Sequence, residues 1–204
     1  MIGLLYKDLC VIKKQFKLLA IMLFFYAVWG FYERNTTMFA YMSILFGVFL
    51  PLTANSFDEQ SQWNKYALCM PIKKSYIAIS KYVLGFLGIT IGVICYYILT
   101  LLIDSHISLE QFKIGLALLS IGMTLISLYL PASFKLGTER ARYVIIAVGV
   151  LVCAVIIGFS KLGIIDELSK DTLTLFLNMA PVIAFAIVVI SCMISTKIIE
   201  NKEY

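Results

Sequence analysis

Six runs of apolar residues, 18–32, 38–55, 82–102, 114–131, 143–159 and 175–196, contain no Asp, Glu, Lys, Arg or His. No other feature constrains the fold as much. Each run approaches the roughly 20 residues that a helix needs to cross the hydrocarbon of a bilayer. A membrane barrel would alternate apolar and polar residues, whereas these runs are continuous. With 61% hydrophobic and 14% charged residues, the 204-residue chain carries more apolar surface than one soluble core of its size can hide. The expectation is an all-α polytopic membrane protein with six transmembrane helices. They form one membrane domain over 1–204, with no room for a separate soluble domain.

The connections orient the spans. Of the 17 Lys and Arg, thirteen lie before the first run, between the second and third, between the fourth and fifth, and after the sixth. The other four, Arg34, Lys113, Lys161 and Lys170, lie in the alternate connections. The positive-inside rule puts the thirteen, and with them both termini, in the cytoplasm of a multi-pass cell-membrane protein. The net charge of +5 is then a topology signal and not a nucleic-acid footprint. Residues 1–17 place Ile2, Leu5, Leu9, Ile12 and Phe16 on one helical face, against Lys7, Asp8, Lys13, Lys14 and Lys17. They are expected to form an N-terminal amphipathic interfacial helix on anionic lipid, the alternative being the start of the first span. The first run does not read as a cleaved signal peptide, since Ala27-Val28-Trp29 puts a bulky residue where cleavage wants a small one. Gly85, Gly88 and Gly92 make a small-residue face on the third span, suited to close packing within the chain or to a dimer contact.

Chemistry-bearing motifs are missing. There is no G-x-x-x-x-G-K-[ST] phosphate loop, no H-E-x-x-H and no G-x-S-x-G. A membrane hydrolase or proton relay wants ionisable groups at membrane depth, and the runs hold none. His106, beside Asp104 and Ser105, reads as a solvated loop residue, because adjacent residues rarely converge as base and nucleophile do. Cys10, Cys69, Cys95, Cys153 and Cys192 have no metal-ligand spacing and read as small apolar residues. The chain is not expected to be an enzyme or to hold a cofactor or metal.

The informative polar segments are 56–81 and 132–142, with a weakly amphipathic outer segment at 160–174. The first carries Asp58, Glu59, Trp63, Tyr66, Pro71, Lys73, Lys74 and Ser80-Lys81-Tyr82; the second carries Phe134, Lys135, Gly137, Glu139 and Arg140. Trp and Tyr in a polar loop suit a protein interface or, more plainly, the headgroup belt. A short helix within 56–66 would set Glu59, Trp63 and Tyr66 in one strip, with Asp58 as a cap at its start. Gly137 suits a turn.

In these residues the chain resembles the small six-span permease subunits of the ABC type-2 exporter family, and within it those that export amphipathic peptides such as phenol-soluble modulins. The resemblance extends over the whole chain in span count, amphipathic N-terminus and loop lengths. It implies a pathway formed with a second permease chain, and two cytoplasmic ABC ATPase subunits that hydrolyse the ATP. It also implies that the segment after the second span docks in a groove on the ATPase. On that basis Asp58, Glu59, Trp63, Tyr66, Pro71, Lys135, Gly137 and Glu139 are the candidate ATPase-coupling residues. The competing expectation is a non-transporting membrane scaffold or sensor that recruits a cytoplasmic partner. Phe24, Phe25, Tyr26, Trp29, Phe39, Tyr41, Met42, Phe46 and Phe49 could line a path for amphipathic peptides or lipids, or could simply face lipid.

Overall fold

The computed structural model describes residues 2–68, 74–104, 106–161 and 170–201. These form helices α1 (Ile2–Glu33), α2 (Thr37–Gln60), α3 (Trp63–Leu68), α4 (Lys74–Asp104), α5 (Leu109–Leu136), α6 (Thr138–Lys161) and α7 (Lys170–Asn201), with no strand among the described residues. Four helical stretches among the described residues are long and apolar enough to cross a membrane: α2, α4, α5 and the Asn178–Asn201 part of α7.

Each turn has a local cause. After α1, Arg34 takes a left-handed φ of 52° and the Asn35 amide returns to the Gly30 carbonyl. The Asn35 side chain then accepts from the Thr37 amide at 3.0 Å and starts α2. Ser108 and Gln111 form a reciprocal capping box that opens α5. Gly137, at φ 90°, separates α5 from α6 with a single residue, a conformation that disfavours a side chain.

α2 crosses α4 with the two backbones in close approach. A Cβ on Gly47 would lie 2.6 Å from the Ile89 amide nitrogen, and one on Gly92 would lie 2.5 Å from the Ser43 carbonyl oxygen. Gly88 abuts Gly47, and Gly85 faces Pro51 and Ile126. The glycine face of the third span is therefore used within the chain. Small residues let these backbones approach where lipid gives no hydrophobic drive. Pro51 is buried inside α2 without ending it. A core of Ile89, Tyr96, Leu118, Ile126, Tyr129 and Leu130 joins α4 to α5. The Tyr82 hydroxyl sits 2.6 and 2.8 Å from the Ser191 and Ser195 hydroxyls, and Ser191 donates to the Ser127 carbonyl, binding α7 to α4 and α5. Outward, Phe24, Phe25, Ile94, Ile98, Val182 and Ile190 are exposed, as a lipid-facing surface requires.

Residues 1–17 are not set apart as expected. α1 runs unbroken from Ile2, and at 1.5 Å per residue its 32 residues span about 48 Å. The face turned inward is Leu4, Asp8 and Ile12, whereas Leu9 is exposed. Ile12 enters a cluster with Phe46, Leu50, Ala54 and Leu84, and this contact holds the N-terminal half of α1 against α2 and α4. Of the outer segment expected over 160–174, residues 162–169 lie outside the described residues. The ends of α1 (N-terminal), α2, α4 (N-terminal), α5, α6 (N-terminal) and α7 meet at one end of the bundle. Lys7–Asp58, Glu59–Thr138 and Ser75–Glu200 contacts tie them there.

Candidate functional site

That charged end is built around a lysine with almost no access to solvent. Lys81, in the second turn of α4, has a side chain 1% exposed, and its Nζ lies 2.8 Å from Asp8 Oδ1 and 2.6 Å from Asp58 Oδ2. Lys7 closes the group: its Nζ donates to Asp58 Oδ1 at 2.6 Å and lies 3.1 Å from Asp8 Oδ1. Two ammonium groups face two carboxylates, so the cluster is neutral and every member has an opposite charge within contact. Neutrality is what makes burial of four charges bearable, because an unpaired buried ion carries a large desolvation penalty. The Lys7 ammonium also sits 4.6 Å from the centre of the Trp63 ring, a cation–π contact that reaches out to α3. The Trp63 Nε1–H is buried with no hydrogen-bond partner among the described residues. One cluster thus joins α1, α2, α3 and α4.

The neighbouring carboxylate turns the other way. Glu59 Oε2 accepts from the Thr138 amide at 2.7 Å and from the Thr138 hydroxyl. It caps the N-terminus of α6, where unpaired amides and the helix dipole favour an anion. Glu59 Oε1 lies 2.7 Å from the place where Gly137 would carry a Cβ. Asn55, one turn earlier on α2, donates to the Ser133 hydroxyl of α5 at 2.9 Å. The last turns of α2 therefore touch five other helices.

The structure brings some of the candidate coupling residues together and separates others. Asp58, Glu59 and Trp63 converge on one junction, and Gly137 joins them through Glu59. The single strip of Glu59, Trp63 and Tyr66 does not form. α2 continues to Gln60, and Gln62, at φ 52°, breaks the helix before α3 begins at Trp63. Glu59 and Trp63 consequently lie on different helices. Asp58 is not a cap at a helix start: it sits near the end of α2, held inward by two lysines. Trp63 leans on Lys7, while Tyr66 is 64% exposed. Glu139 is exposed on the first turn of α6. Lys135 is exposed and lines a different cleft, with α7. Pro71 lies outside the described residues. Away from the site, His106 and Cys10 are exposed, Cys95 and Cys192 are half-buried, and Phe39 is a core residue, whereas Phe46 lines a small cleft between α1 and α2 with Tyr26, Met42 and Phe49.

The sequence pattern sets Lys7 and Asp8 on the polar face of an interfacial helix and Lys81 in the Ser80-Lys81-Tyr82 motif, and no motif joins the three as one buried group. A signal was present in the spacing. Lys81 stands four residues from Ile77 and from Gly85, on the buried face of α4. Asp58 stands four from Ala54, and Asp8 four from both Leu4 and Ile12. A charge in register with an apolar face needs a buried partner, and three such positions of mixed sign were available.

Two clefts border the junction. One, of about 590 Å³, runs between α2 and α6, with Phe49, Leu52, Phe57 and Ile146 as apolar walls and Thr53, Ser56, Gln60 and Arg142 as polar ones. The other, of about 550 Å³, shares Ser56, Gln60 and Arg142 and adds Glu59, Arg140 and the Gly137 turn. No group of three or more metal-ligating side chains occurs among the described residues.

No curated protein and no solved structure matches the chain. The profile of the ABC-2 family transporter proteins, however, matches residues 3–200. That match takes in every helix described above together with the junction at the charged end, and the chain belongs to the ABC-2 transporter family as its membrane component.

Proposed function

We propose that this chain is the pathway-forming permease of an ATP-driven exporter, paired with a second permease chain and driven by two cytoplasmic ABC ATPase subunits. α1, α2, α4, α5, α6 and α7 are the six spans, and the charged end faces the cytoplasm with both termini. The observation that carries the reading is the division of labour at Asp58 and Glu59. Adjacent residues at the end of α2 hold α1 and α4 on one side and α6 on the other. A push delivered at α3 is thereby passed to four spans at once, as a transporter driven from outside the membrane requires. Tyr66 and Glu139 present exposed side chains to the ATPase, while Trp63 fixes α3 to Lys7.

An amphiphilic cargo suits the α2–α6 cleft, which passes from apolar walls to Arg142 and the polar chamber beside it. Amphipathic peptides and lipids share that chemistry.

The test is the doubly substituted Trp63→Ala, Tyr66→Ala permease, reconstituted with its ATPase. Truncating an aromatic interface anchor often costs about 2 kcal/mol, or roughly thirtyfold in affinity. The expected outcome is normal insertion with loss of ATPase docking and of cargo-stimulated turnover. Wild-type docking and turnover in this variant would defeat the coupling role. ATPase docking without any transport in the native complex would favour a scaffold.

A further inference from the structure

A cleft of about 530 Å³ lies between α5 and α7 at the charged end, lined by Lys135, Lys197, Asn201, Ile194 and Ile198. It is separate from the α2–α6 clefts and shares no lining residue with them. Its two lysines make no salt bridge among the described residues. The acid nearest to Lys197 on its own helix is committed elsewhere. Glu200 accepts from the Ser75 hydroxyl at 2.7 Å, and its backbone carbonyl accepts from Lys74 at 3.3 Å, so α7 turns this carboxylate toward α4. Two ammonium groups and a carboxamide therefore crown the cleft with no ion-pair partner among the described residues.

Below that crown the surface becomes apolar along one line. Ile183, Ile187, Ile190 and Ile194 recur at intervals of three and four on α7, and all four are exposed. The line leads from the mouth of the cleft along the lipid-facing side of the helix. A polar, positively charged head site continuous with an apolar track is complementary to one class of molecule.

We propose that this cleft is a site for one anionic phospholipid, its phosphate held by Lys135 and Lys197 and its acyl chains lying on the α7 isoleucines. Basic clefts between membrane helices hold such headgroups because two point charges act on one phosphate at the edge of the low-dielectric region. A lipid there would wedge the end of α5 against the end of α7, beside the Gly137 turn. Lys135 thereby has a role distinct from ATPase docking, and the site stands whether or not the coupling assignment does.

The experiment is native mass spectrometry of the purified permease titrated with phosphatidylglycerol or with phosphatidylcholine of the same chains. One phosphatidylglycerol should be retained in preference. The variant Lys135→Gln, Lys197→Gln should weaken that retention by about thirtyfold, the combined effect of two lysines at a headgroup. Lys135→Arg, Lys197→Arg should keep most of it, which separates loss of charge from loss of fold. Soluble glycerol phosphate at millimolar concentration should not displace the lipid. Equal retention of the two lipids, an unchanged affinity in the glutamine variant, or displacement by glycerol phosphate would each overturn the proposal. So would a glutamine variant that keeps its lipid and loses only ATPase binding.

Discussion

The two ends of the bundle are held by different means. At the charged end, polar contacts join residues far apart in sequence: Lys7 to Asp58, Lys81 to Asp8, Glu59 to Thr138, Asn55 to Ser133. At the opposite end the side-chain contacts are mostly between near neighbours, Asn35 to Thr37, Ser108 to Gln111 and Gln111 to Asp104, and the longer ones are made by hydroxyls: Tyr96 to Thr36, and Tyr96 and Tyr97 to the Gln111 and Phe112 carbonyls. Contacts of the first kind make separate helices move as a body. Those of the second kind shape a turn. On the proposed coupling role the charged end receives and distributes a displacement through buried ion pairs, whereas the opposite end is held by turns and by uncharged hydroxyl contacts. The burial of charge follows the same division, since Lys81 is all but inaccessible whereas Asp104 is exposed.

The contrast is broken most severely at Lys81. Lys81→Met leaves Asp8 and Asp58 facing each other with Lys7 as their one remaining counter-charge. Removing one partner of a buried ionic group typically costs about 3–5 kcal/mol, because the ion left behind stays desolvated. The thermal midpoint in detergent should fall sharply, and the complex with the ATPase should fail to accumulate. Adding Asp8→Asn to Lys81→Met restores one positive to one negative charge and should recover part of the loss. A single variant as stable as wild type, or a double variant worse than the single, would show that the cluster is not held by charge balance.

The Gly137 turn comes next. Alanine there meets two obstacles, the left-handed φ of 90° and the Glu59 carboxylate at 2.7 Å from the added carbon. With ψ at 160° this is an extended, positive-φ conformation that is essentially reserved for glycine, and the conformational part alone is about 1–3 kcal/mol. Gly137→Ala should lower the thermal midpoint less than Lys81→Met does, and it should loosen α6. Glu59→Ala removes only the cap, at about 1 kcal/mol. If Glu59 transmits movement as well as capping α6, its alanine variant should lose more cargo-stimulated ATPase turnover than its stability cost explains. Loss in simple proportion to stability would reduce Glu59 to a structural cap.

The helical class was legible because uninterrupted apolar runs admit few alternatives, and Gly137 was legible because a glycine between two helical patterns marks a turn. The junction was legible only in part. Asp58, Glu59 and Trp63 stand in one polar segment, so they could be singled out together, but their partners lie on other helices. Nothing local to Glu59 points to Thr138, 79 residues away. The helix break at Gln62 was hidden for a related reason: it is a left-handed non-glycine residue, where composition predicts none. Lys7 and Asp8 were obscured by an amphipathic pattern that fits a membrane surface as readily as it fits a buried contact. Long-range pairing of opposite charges is a tertiary fact, and a single sequence offers only the register of each charge on its own helix.

The smallest effect is expected at Asp104, and it sharpens the contrast from the other side. Its carboxylate accepts from the Gln111 side-chain amide across the short connection from α4 to α5. Both groups reach water, so Asp104→Ala exchanges a protein partner for solvent and leaves no buried charge behind. Such an exposed contact contributes about 1 kcal/mol or less. The turn also has independent support. Gln111 Oε1 still accepts from the Ser108 amide at 2.8 Å, and the Ser108 hydroxyl still accepts from the Gln111 amide. The capping box should therefore survive the substitution, with a thermal midpoint close to wild type and unchanged cargo-stimulated turnover. A loss comparable to that of Lys81→Met would mean that this end, too, is a structural clamp, and the asymmetry between the two ends would no longer support the proposed coupling.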